Sequence, residues 1–250
     1  MKNTIRALAL CAIAAVPASA QTHEFKLNNS LNDTFLGAPL VNNGATLSSA
    51  GLNMLSPDTG PTMSQAPQFA YSIVFKGQVY RPGEGASGYE KLLDFKNYND
   101  DNGLYVDATS DGGTGQLFFQ NAVSYSGPVS GYALNTNHTT ILTYSGAFGT
   151  FTAYVDGVQA FSFVDVGGDA RFDNSDGVAQ FYQASNNSPG GNDATTGSLS
   201  YIAWYHRVIS DKEIADISGV TATPEPASMV LLATGLVGIA GIARRRKVSK

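Results

Sequence analysis

The residues able to do chemistry in this 250-residue chain are few and far apart. Between Gln21 and Thr223 it holds only four glutamates, Glu24, Glu84, Glu90 and Glu213, and none has an acidic residue two positions later. The glutamates therefore offer no strand bearing the paired carboxylates that glycoside hydrolysis uses. Nucleophilic catalysis is no better supplied: there is no Gly-x-Ser-x-Gly elbow, and the sole cysteine, Cys11, lies in an N-terminal apolar run. His23, His138 and His206 fall in separate predicted strands, with no His-x-x-x-His spacing to bring two imidazoles to one metal ion. They read as surface or half-buried strand residues. Glu213 follows Ser210 by three, the spacing of a helix capping box, which gives its carboxylate a structural task.

Both ends of the chain read as addresses. Lys2 and Arg6 precede the apolar stretch Ala7 to Val16, and Ala18, Ser19 and Ala20 supply the small-x-small pattern of a signal peptidase site. Cleavage after Ala20 removes Cys11, which sits mid-run rather than at the lipidation position, and leaves a cysteine-free body without disulfides. At the other end, Pro224, Glu225 and Pro226 lead into an uncharged span, Ala227 to Ala243, and then Arg244, Arg245, Arg246 and Lys247. As a single apolar helix, those 17 residues reach about 25 Å, slightly under a bilayer core. The basic cluster holds the inner side of the membrane. Gly235, Gly238 and Gly241 lie within the span and suit helix packing better than phosphate binding. Residues 21–223 carry 8 Lys or Arg against 19 Asp or Glu, a net −11 that repels phosphate backbones and excludes nucleic acid as a partner.

The three parts of the tail, in that order, resemble the PEP-CTERM sorting signal of Gram-negative bacteria. The resemblance implies an exosortase-type processing enzyme and export to the cell surface or matrix, with transient anchoring in the inner membrane. A plain C-terminal anchor is the alternative. The chain thus divides into a signal peptide (1–20), a folded body (21–220) and a sorting tail (221–250).

Within the body, β-rich runs alternate with turn residues. Phe69 to Tyr80 is the longest strand pattern, with Phe69, Tyr71, Ile73 and Phe75 on one face. Asp156-Gly157 between Phe151–Val155 and Val158–Phe163 predicts a two-residue hairpin. Leu199 to His206 is the last strand and holds the only tryptophan, Trp204, and the capping box then opens a short helix to about Ile217. About a dozen short strands and one short helix predict an all-β sandwich.

Three landmarks resemble the jelly-roll sandwich of concanavalin A-like and laminin G-like domains: KLLDF with NGLYV (Lys91–Phe95, Asn102–Val106), the YVDG hairpin (Tyr154–Gly157), and Gly197 to Tyr205 running into Ser210, Asp211, Glu213 and Ile214. The glucanase branch of that fold needs a Glu-x-Asp-x-x-Glu strand, which is missing here. The laminin G-like branch implies a calcium ion at a loop rim, for which the candidates are Asp100, Asp101, Asp107, Asp111 and Asp193; tight-turn chemistry explains the same residues equally well. Tyr98, Tyr125, Tyr132, Asn186 and Asn187 fall in predicted loops of the kind that line sugar sites, although strand propensity and core packing account for tyrosines too. The expectation is a non-catalytic exported module that binds glycan or a matrix protein. The alternatives are a polysaccharide-active enzyme with an unrecognised site and a purely structural matrix protein.

Overall fold

In a computed structural model, alternating apolar and polar residues form fourteen described strands in two antiparallel sheets, followed by one short helix. The structure describes residues 21–64, 70–80, 88–97, 102–108, 114–120, 129–146, 148–172, 177–183, 193 and 195–220. Both terminal addresses, with Ala18, Ala20, Pro224, Glu225, Pro226 and Arg244 to Arg246, lie outside these residues, as do Tyr98, Tyr125, Asn186 and Asn187.

The strands are β1 (Gln21–Lys26), β2 (Thr46–Ser48), β3 (Gly51–Met54), β4 (Thr62–Met63), β5 (Tyr71–Val79), β6 (Tyr89–Asp94), β7 (Gly103–Asp107), β8 (Thr114–Gln120), β9 (Val129–Ala133), β10 (His138–Ser145), β11 (Thr150–Val155), β12 (Val158–Val164), β13 (Ala179–Phe181) and β14 (Gly197–Tyr205). One sheet has eight strands in the order β12-β11-β10-β5-β14-β3-β2, with β1 also pairing β14. The other has six, ordered β4-β13-β6-β7-β8-β9. Neighbours in both are antiparallel.

The inner faces meet in one core. Tyr71, Ile73 and Phe75 of β5 point into it, as their alternation requires, and meet Leu93, Leu104, Phe119 and Phe181 of the opposite sheet. Trp204 lies fully buried, with ring centroids 5.8 Å from Tyr71 and 5.0 Å from Phe172. Tyr132 is not a loop residue: it is buried in β9 with its ring 4.4 Å from that of His138, because the run from Val129 pairs with β8.

Local signals are met where backbone geometry demands them. Asp156 and Gly157 adopt φ of 50° and 81°, the two positive values that a type I′ hairpin needs. Helix α1 (Asp211–Ser218) opens on the full capping box of Ser210 and Glu213 and closes on Gly219 at φ 71°. Its buried Ile214 packs on Val74, Ile141 and Ala203, on the outer face of the eight-stranded sheet. Arg207 holds Glu213 in a fork of 2.9 and 2.5 Å, and Lys76 Nζ donates to the Ile217 carbonyl at 3.1 Å. That outer face is thus occupied by the chain's own helix. Among the described residues, no helix is long and apolar enough to cross a membrane.

Candidate functional site

Directly opposed residues of antiparallel strands share a face. Applied to the six-stranded sheet, this puts Met63, Ala179, Phe181, Leu93, Leu104, Val106, Leu117 and Phe119 in the core. The alternate residues form three transverse rows on the outer face. Tyr89, Asp107 and Gln116 make the first, and Lys91, Tyr105 and Phe118 the second. The third runs Thr62, Gln180, Asp94, Gly103 and Gln120.

A bulge makes the middle of this face. The register of β6 against β7 shifts between Lys91 and Leu93, so Lys91 and Asp94, three apart and on opposite faces of a regular strand, emerge on the same side. Lys91 Nζ meets Asp94 Oδ2 at 2.6 Å, and both side chains are wholly shielded from solvent. The ammonium lies 5.1 Å from the centroid of Tyr105, whose ring stacks on Phe118 at 5.5 Å. Asp94 Oδ1 accepts the Lys96 amide at 3.0 Å. Gly103 is required beside them: a Cβ there would come within 2.6 Å of Lys91 Cε and 2.8 Å of the Leu93 carbonyl oxygen.

Around this sealed floor runs an accessible rim. Tyr89 is 43 % exposed and meets Phe118 edge-on at 5.9 Å, while Asp107, Gln116 and Gln120 are half-buried. In the third row, buried Gln180 donates through Nε2 to Asn97 at 2.9 Å, and among the described residues its Oε1 has no hydrogen-bond partner. A buried acceptor without a donor is a place for a hydroxyl or a water.

Asp107 and Asp193 are the calcium candidates within the described residues; Asp100, Asp101 and Asp111 lie outside them. The structure does not bring the two together. Asp107 lies on β7, whereas Asp193 holds the opposite edge of β6, where its carbonyl accepts the Lys91 amide at 3.0 Å and the Thr195 hydroxyl donates to the Lys91 carbonyl at 2.7 Å. Two strand spacings, about 10 Å, separate their backbones. Glu90, which senses the charge of Asp193, is pushed up to about 8, chiefly by burial and despite a hydrogen bond from Thr195. Among the described residues, no three His, Cys, Asp or Glu side chains form a metal cluster.

The histidines are less separate than their spacing implies. Pairing of β1 with β14 brings the rings of His23 and His206 to 6.3 Å, and Asp33 Oδ2 holds His23 Nδ1 at 2.6 Å. His138 is buried, bonded to Asp156 at 2.7 Å and to the Ala133 carbonyl at 3.0 Å. Sequence reasoning missed Lys91, Asp94, Tyr105, Phe118 and Gln180 as one face. KLLDF and NGLYV mark the strands involved, yet nothing in them announces the bulge.

Residues 222–247 match the family model of the PEP-CTERM protein-sorting motif. That match gives the tail a sorting role and implies an exosortase-type enzyme as its processing partner. No curated protein sequence matches the chain. Among solved structures, the body is similar to Trypanosoma rangeli sialidase in complex with 2,3-difluoro-KDN, at TM-score 0.62 and 17 % identity over 81 % of this chain and 33 % of that one. It is also similar to the botulinum neurotoxin serotype D binding domain, at TM-score 0.54 and 12 % identity over 80 % of this chain and 51 % of that one. The chain therefore spans about a third of the sialidase and about half of the toxin structure. At such identities the likeness concerns the fold: this is an all-β sandwich, shared in architecture with part of a sialidase and of a toxin binding domain, and carrying a PEP-CTERM sorting motif at its end.

Proposed function

We propose that the protein is an exported, non-catalytic module that binds glycan on the outer face of its six-stranded sheet. The signal peptide (1–20) starts its export, and the sorting tail (221–250) delivers the laminin G-like body (21–220) to the surface or extracellular matrix of a Gram-negative bacterium. The observation that carries this reading is the first row, Tyr89–Asp107–Gln116, standing beside the fixed aromatic floor of Tyr105 and Phe118. An exposed ring gives a sugar's C–H face an apolar platform, while a carboxylate and an amide beside it accept and donate hydrogen bonds to hydroxyls. Among the similar structures, a sialidase seen with sialic acid and a toxin's binding domain support a glycan as the ligand class.

Binding is favoured over hydrolysis by a carboxylate pair because of the spacing of the carboxylates on this face. Asp94 opposes Gly103 and Asp107 lies four residues further along β7, about 13 Å away, beyond both separations that glycosidases use. Asp94 is also committed to Lys91.

A glycan array followed by calorimetry on the full chain tests the proposal. Tyr89→Ala and Gln116→Ala are each expected to weaken binding at least about tenfold, near 1.4 kcal/mol, with an unchanged melting curve because neither side chain supports the core. A blank array, or full affinity in Tyr89→Ala, would refute it. New reducing ends released from a bound glycan would replace it with the enzymatic reading.

A further inference from the structure

We infer that two copies of this chain pair through the edge of β12, antiparallel about a two-fold axis, so that their eight-stranded sheets become continuous. A sheet edge displays unpaired N–H and C=O groups, and folded proteins blunt such edges by shortening, bulging or charging them. Four of the five described edges of the two sheets are blunted: β1, on the side of β14, carries the charged Glu24 and Lys26. β2 has three residues and β4 two, while β9 slips register against β8 and contains Gly131 at φ 122°. β12 differs. It ends the eight-stranded sheet with β11 on its paired side, runs for seven residues (VQAFSFV), and contains no charged residue and no proline. It too is bulged, at Ala160, where its register against β11 shifts, but Phe161–Val164 beyond the bulge stays regular and uncharged.

Apolar side chains gather at that stretch. The Asp165 amide donates to the Gly149 carbonyl, which brings Phe148 beside Val164 and Val166, and these three are 79 %, 55 % and 80 % exposed. A second copy is the partner that fits. The body's charge of −11 sets most of its surface against a copy of itself, whereas β12 is neutral between Asp156 and Asp165. Both of those acids are already engaged, Asp156 with His138 and the Thr139 amide, and Asp165 with the amides of Asp169 and Ala170. Antiparallel pairing of one strand with itself is two-fold by construction, so a single geometry satisfies both edges and closes the assembly.

Sedimentation velocity on the full chain in mild detergent, across a wide concentration range, tests this. The unmodified chain is expected to form a dimer. Val164→Lys/Val166→Lys is expected to weaken it at least about tenfold, because four added cations are brought to one short apolar edge, without moving the melting transition. In a Cys11→Ser background, Ser162→Cys and Val164→Cys are tested separately and together; the one combination that the axis sets face to face is expected to give an oxidised dimer, since opposed strand residues come close enough for a disulfide. Lys212→Cys on exposed α1 is expected to give none. A monomeric wild-type chain, a double-lysine variant that dimerises unchanged, or equal cross-linking at position 212 would overturn the proposal.

Discussion

Replacing Lys91 with methionine tests whether the sealed ion pair organises the outer face. In the folded protein both partners are fully shielded, the ammonium sits 2.6 Å from Asp94 Oδ2, and its stem crosses the gap left by Gly103. Methionine keeps much of the stem's packing but leaves the Asp94 carboxylate buried without its cation. Removing one member of a buried pair costs about 3–5 kcal/mol, a large part of the roughly 5–15 kcal/mol that holds a domain folded. The retained Lys96 amide at 3.0 Å offsets some of this, so about 3 kcal/mol is expected, which for a domain of this size lowers the melting temperature by roughly 6–12 °C. Urea unfolding followed by the fluorescence of Trp204, the only tryptophan and a buried one, reports the change directly. Lys91→Met/Asp94→Leu removes both charges and is expected to recover at least half of the loss. A single-variant cost under about 1 kcal/mol, or a double variant no more stable than Lys91→Met, would refute the reasoning.

Three further outcomes follow from the same geometry. Glu90 titrates near 8 in the folded protein against an ordinary 4.5, so its contribution is complete below about pH 4.5 and is lost as pH rises through 8; Glu90→Gln should flatten that slope in melting curves between pH 5 and 9. Glu213 behaves oppositely: the Arg207 hydrogen bonds hold its carboxyl down at about 2, so its support for α1 is complete above about pH 4.5 and declines towards pH 2. Glu213→Gln should remove that acid limb, and an unchanged limb would place it elsewhere. Gly103→Ala should cost about 1–3 kcal/mol in urea unfolding, because the new methyl group meets both the Lys91 stem and the Leu93 carbonyl.

Much of the framework was legible because its signals are short-range. The Asp156-Gly157 hairpin needs only two residues with positive φ, the α1 cap only Ser210 and Glu213, and the core face of β5 only the alternation of Tyr71, Ile73 and Phe75. Register is another matter, since it is fixed by partners far along the chain. KLLDF reads as a plain strand, and a regular strand would send Lys91 and Asp94 to opposite faces; pairing with β7 and β13 decides otherwise. Asp107 reads as the last residue of a strand, as it is, but nothing local sets it between Tyr89 and Gln116. A count of carboxylates could not say that Asp94 is taken by a lysine.

By itself, then, the sequence determined what local chemistry can encode: the C-terminal sorting motif, the acidic cysteine-free body, the all-β class, and the individual turns and caps. Only the tertiary structure decided which side chains share a face, which acid is sealed, and that β12 rather than another strand ends the sheet. The physical reason is that strands are completed by neighbours distant in sequence. A single bulge or a change of neighbour redirects every side chain beyond it, and no residue within the strand records that choice.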